Sequence, residues 1–142
     1  MDENVPYPAL AVLRQTLRGH EIFHVDEMKW KGKTDKFLLA DAAQAGFDAI
    51  VTRDLDQLSD PVEIASIKRS GMHHIRFVQG SGGLADYARA VGSVVAAMYD
   101  IVVELTAADG QRLVKIAKLD KSRRYEIVNP KSHPPSYWRR QR

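Results

Sequence analysis

Apolar positions change their spacing several times along the chain, and each change marks an element. Pro6 and Pro8 open a segment in which Leu10, Val12, Leu13 and Leu17 recur at helical spacing, and Gly19 ends it. Glu21-Ile22-Phe23-His24-Val25 alternates, which predicts a strand. Asp26 to Lys33 is a polar loop around Trp30. Thr34 is suited to cap a second helix that starts at Asp35, turns Phe37, Leu38, Ala42 and Ala45 inward, and stops at Gly46. The apolar run from Asp48 to Thr52 predicts a buried parallel strand. Asp60 and Pro61 start a third helix that Gly71 closes, and Ile75 to Val78 is a further short strand.

Strands alternating with helices predict an α/β fold with a parallel central sheet. Leu84 to Leu105 reads as a long apolar helix that turns into strand near Ile101. Gln111–Leu119 and Arg123–Val128 both alternate and predict a C-terminal antiparallel strand pair. No repeat or internal boundary is visible, so residues 1–130 read as one domain and 131–142, with Pro134 and Pro135 adjacent, as a mobile tail.

Composition narrows the chemistry. The chain has 142 residues and no cysteine, which excludes disulfides, thiolate metal sites and cysteine nucleophiles. The start, Met1-Asp2-Glu3-Asn4, has no signal-peptide character, and the apolar stretch from Val91 to Leu105 is broken by polar residues. A cytoplasmic protein without a membrane partner is the expectation. Charge is uneven: residues 1–111 hold 11 Lys/Arg and 16 Asp/Glu, whereas 112–142 hold 10 Lys/Arg and 2 Asp/Glu. The basic end suits a phosphate backbone or an acidic protein, or else is a solvated tail.

Four carboxylates stand out. Asp54 and Asp56 follow a strand, Asp35 opens a helix, and Asp2 precedes one. In a parallel sheet with crossover helices, strand ends and helix starts share an edge, so all four can converge. Taken singly, Asp35 reads as a helix-dipole residue and Asp54 and Asp56 as turn residues. Four at one edge favour a site. Crowded carboxylates call for a cation, and a hard oxygen-seeking one, Mg²⁺ or Mn²⁺, can activate water for displacement at phosphorus.

Asp2-Glu3-Asn4-Val5-Pro6, Gly19-His20-Glu21, Thr34-Asp35 and Val51-Thr52-Arg53-Asp54-Leu55-Asp56 follow one another in an order that resembles the PIN-like domains of the VapC toxin type. The likeness covers residues 2–80. It implies a PIN-like three-layer domain and a Mg²⁺-dependent endoribonuclease, the toxin of a type II toxin–antitoxin system. The implied protein partner is a cognate antitoxin, and a homodimer is a further expectation. Asp2, Asp35, Asp54 and Asp56 would be the catalytic and metal-binding residues, with Asn4 and Arg53 in support. There are two departures. Relatives carry an apolar strand of about five residues before the Asp-Glu-Asn, where only Met1 stands here, so the N-terminal strand reads as truncated. The C-terminal strand pair and tail lie outside the likeness.

Lys29, Lys31 and Lys33 surround Trp30 just before Asp35, a mixture that suits stacking and phosphate contacts with single-stranded RNA. A solvated loop with Trp30 folded onto the core fits equally. Tyr137-Trp138-Arg139-Arg140 repeats the mixture, as an RNA grip or a protein anchor. Gly80-Ser81-Gly82-Gly83-Leu84-Ala85 fits a dinucleotide fingerprint but falls late in the βαβ series, where a loop feeding a helix is the better reading. His20 and His24 fall on a strand reading and His73-His74 precede a strand, so no His-x-x-x-His pair sits on a convincing helix and no zinc site is read. The rival to a nuclease is a catalytically impaired PIN-like module that binds RNA or protein.

Overall fold

The computed structural model describes residues 1, 5–53, 59–119 and 125–140, with only the backbone described at Asp35, Arg139 and Arg140. Three strands, β1 (Ala49–Arg53), β2 (His73–Phe77) and β3 (Leu113–Lys115), lie side by side in that order, all parallel. Ala49 sits opposite His73 and Arg53 opposite Phe77, while His74 faces Leu113. Two helices make the crossovers: α3 (Pro61–Ser70) joins β1 to β2, and α4 (Gly83–Thr106) joins β2 to β3. α1 (Tyr7–Thr16) and α2 (Asp35–Gln44) precede the sheet.

Neighbouring residues of β1 serve two cores, because side chains alternate across a strand. Val51 joins Ile75 and Phe77 against Ala9 and Leu13 of α1 and Ala90, Val94 and Met98 of α4. Ile50 joins Leu38, Leu39 and Ala42 of α2 and Ile67 of α3. Helix ends follow local chemistry. Asp60 accepts the Val62 N–H at 2.8 Å and Pro61 occupies the first turn of α3. Gly71 closes the helix at φ 69°, a conformation that suits a residue without Cβ. Thr34 stands at the cap position of α2, but its side chain makes no capping bond.

Several expectations need correcting. Glu21 to Val25 is not a regular strand: the described residues offer it only a single rung, from Met1, on one side. Val12 and Phe37 are exposed, because the faces that meet the core run through Leu10, Leu13 and Leu17 in the first case and Leu38, Leu39 and Ala42 in the second. Ala45 is exposed beyond the end of α2. Helix α4 continues past Ile101 to Thr106 without changing to strand. It carries the chain back to the starting edge of the sheet, so β3 enters in the same direction as β2. Leu113–Lys115 therefore pairs parallel with β2, where an antiparallel partner in 123–128 was expected. Residues 125–128 are described and contain no strand.

Candidate functional site

The crossover through α3 puts the end of β1 and the start of α3 on one edge of the sheet. Only Ala45 to Asp48 separate α2 from β1, and α2 packs beside it through Leu38 and Ile50, so the start of α2 lies toward the same carboxyl edge. The backbone of Asp35, the end of β1 at Arg53 and the cap of α3 at Asp60 thus share that edge. Asp2, Asn4, Asp54 and Asp56 lie outside the described residues. Arg53 Nε is buried and meets no hydrogen-bond partner among the described residues. The described residues contain no group of three His, Asp or Glu side chains able to hold a metal.

The lysine loop beside α2 is partly committed to the fold. Trp30 is half-buried, edge-on to Phe47 at 6.2 Å, and Lys33 Nζ sits 5.4 Å from the centre of its ring. Lys33 also pairs with Asp41. Lys29, at φ 57°, and Lys31 are exposed and carry no such pairing among the described residues. In the tail, Ser136–Arg140 forms a short 3₁₀ turn, and Tyr137 and Trp138 present exposed rings.

Two histidines serve the fold. His24 is buried: Nδ1 accepts the Asp26 N–H at 3.2 Å, which leaves Nε2–H to donate to the Val5 carbonyl at 3.3 Å. His73 Nδ1 accepts the Arg112 N–H at 3.0 Å.

The glycine loop before α4 already holds an anion of its own. Gly82 N–H donates to Asp86 Oδ2 at 2.6 Å, and Arg89 donates to Oδ1 at 2.9 Å. The Gly82 amide first, and Arg89 after it, hold the Asp86 carboxyl below the usual aspartate value. A Cβ at Gly82 would stand 2.5 Å from that carboxylate. A phosphate approaching this amide would displace Asp86, so the loop is a self-capped helix start. Asp86 went unnoticed in the sequence, although an acid one turn into a helix is the available signal.

A cleft of about 820 Å³ lies at the opposite, amino edge of the sheet. It is bounded by Gly19 to Phe23 on one side, Asp48, Ala49 and Val51 on the other, and Met98, Val102 and Leu105 of α4. Met1 is among the residues that line it. The cleft and the edge carrying Asp35 and Arg53 are distinct features. Set against protein-family models, curated proteins and solved structures, the chain matches none.

Proposed function

We propose that the chain is a PIN-like, Mg²⁺- or Mn²⁺-dependent endoribonuclease, acting as the toxin of a toxin–antitoxin pair. One relationship carries the reading: the strand that ends at Arg53 and the helix that begins at Asp35 meet one edge of the sheet. Asp54 and Asp56 follow the first in sequence, and Asp2 is the fourth carboxylate. Together they make an all-oxygen donor set, the chemistry that hard divalent cations take. When bound, the ion supplies a lowered pKa for water and charge stabilisation at phosphorus. The chain's own part is to hold the carboxylates in register, to offer Arg53 beside them, and to grip RNA through Lys29, Lys31, Arg139 and Arg140. The antitoxin and a homodimer rest on the resemblance alone. The test is RNA cleavage by wild type, Asp35→Asn and Asp54→Asn, with Mg²⁺ or Mn²⁺ and with EDTA. Both substitutions and the chelator should abolish cleavage; activity that survives all three overturns the reading.

A second reading is a PIN-like module that binds RNA or protein without cutting. The observation that favours it is the open cleft at Met1, immediately before Asp2. It requires retained RNA binding with no cleavage in either metal.

A further inference from the structure

We propose that Arg76 and Lys115 form a phosphate clamp on an uncovered face of the sheet, and that it holds single-stranded RNA on its way to the carboxyl edge. RNA as the occupant rests on the function proposed above; the clamp itself rests on strand register. The parallel pairing of β2 with β3 sets His74 beside Leu113, Ile75 beside Val114 and Arg76 beside Lys115. Ile75 and Val114 pack into the core shared with α1 and α4. Side chains alternate along a strand, so Arg76 and Lys115 point the other way, to the side of α2 and α3. Adjacent strands stand ~4.8 Å apart, so two cations lie side by side on a rigid element. Like charges so placed repel, and a phosphate between them replaces the repulsion with two charge-assisted contacts. Lys115 is exposed and makes no ion pair among the described residues. Arg76 is half-buried and already interacts within the chain; its five N–H donors serve more than one acceptor.

The face that carries the pair is open. All-parallel sheets are ordinarily covered on both sides. Here the helices on this side cover β1, where Ile50 meets Leu38, Leu39 and Ala42 of α2 and Ile67 of α3. Among the described residues no member of β3 joins that core, and Leu113 is 66% exposed. Leu113 lies two positions before Lys115, on the same face. Two cations for a phosphate, with an apolar surface beside them for a sugar or base, are the parts of a nucleotide contact.

Position ties the clamp to the candidate site. On its other side Arg76 is level with Thr52, one residue short of the end of β1. Thr52, Arg76 and Lys115 thus make a row across the sheet, from the free edge of β3 to the rim where Asp54 follows Arg53 in sequence. A phosphate held between Arg76 and Lys115 lies one to two strand spacings, roughly 5–10 Å, from the end of β1. An acidic protein surface would satisfy the two cations, but only a polyanionic chain continues from them along the row to that rim.

The test is binding of a fluorescent single-stranded RNA by the full chain in EDTA, at several salt concentrations. The double variant Arg76→Gln/Lys115→Gln should bind about tenfold more weakly. Its slope of log K against log salt should fall by about 0.7, the value for one phosphate on a single strand. Lys115→Arg should bind as the wild type does, and so should Arg18→Gln, which removes an exposed cation outside the row. If Arg76→Gln does not fold, the exposed Lys115 carries the test through Lys115→Gln and Lys115→Glu, which should weaken binding in that order. Affinity unchanged in these variants, or a loss that Arg18→Gln matches, overturns the clamp, as does a wild type that binds no RNA. A Lys115→Gln chain that self-associates while binding RNA normally also overturns it, and makes Lys115 a guard of the open strand edge. Cleavage with Mg²⁺ is read separately. A chain that cuts RNA while the variants bind normally keeps the nuclease and loses the clamp; one that binds through the row without cutting keeps the clamp and loses the nuclease.

Discussion

Arg14 and Glu27 meet at 2.8 Å across the start of the chain, one from α1 and the other from the loop beyond Val25. The pair grips the backbone between them: Arg14 at Ile22 O and Glu27 at His24 N. The His24 amide first, and Arg14 after it, hold the Glu27 carboxyl below its ordinary 4.5. A carboxylate depressed in the folded state contributes stability above its unfolded pKa and loses it as pH falls through the folded one. Below pH 4.5 the wild type should therefore lose melting temperature more steeply than Glu27→Gln, with the two curves parallel above it. Thermal melts from pH 7 to pH 3 check this.

Asp86 and Gly82 form a single device. Asp86→Ala removes the acceptor of the Gly82 amide, and Gly82→Ala pushes the same carboxylate away. Each should lower the melting temperature by about 2–4 °C. The double variant should lose no more than the worse single one, because either change breaks the same contact.

Gln111 ties the approach to β3 to the β1–β2 crossover. Its Nε2 donates to Ile67 O at 2.8 Å and to Met72 O at 2.6 Å. Gln111→Ala should cost about 1–2 kcal/mol in denaturant unfolding, by leaving the Met72 carbonyl without this donor while Ile67 O keeps the Ser70 hydroxyl. Gln111→Glu should cost more, since it turns a carboxylate on them.

The phase of α2 gives a pair with opposite outcomes. Leu39 is 5% exposed and Phe37 62%. Leu39→Ala should cost about 2–5 kcal/mol as a core truncation. Phe37→Ala should stay within about 0.5 kcal/mol.

Among the three lysines around Trp30, Lys33 is engaged by Asp41, and Lys29 and Lys31 face solvent. Lys29→Ala and Lys31→Ala should each weaken binding of single-stranded RNA and reduce the salt dependence of log K by about 0.7 per lost phosphate contact. Lys33→Ala should change that slope less. Titrations at several salt concentrations separate the three.

Features written in local chemistry are legible in the sequence. Asp60-Pro61 and Gly71 bound α3 because caps act within a few residues. The run Ala49–Arg53 is legible as a buried strand because a short apolar segment bounded by polar turns has few alternatives. Direction is not: alternation at Leu113–Lys115 looks the same in parallel and antiparallel pairs, and the passage of α4 decides it. Helix phase slips by one or two positions at Val12 and Phe37, where an apolar residue sits next to the buried face. For the candidate site, order is legible and geometry is not. The sequence places Asp35 at a helix start and Arg53 at a strand end, as observed, while Asp2, Asp54 and Asp56 lie outside the described residues. The Met1 rung has no signature, being one residue paired with a segment more than 20 positions away.

The all-parallel order also sets a timetable for folding. β1 and β2 meet across 24 residues, Ala49 to His73, whereas β2 and β3 meet across 39, His74 to Leu113. Closing the longer loop costs more chain entropy, and Leu113–Lys115 offers only three residues in return. The β1–α3–β2 unit should therefore form first and β3 dock onto it, with amides near Val51 protected before those near Val114 in pulse-labelled refolding.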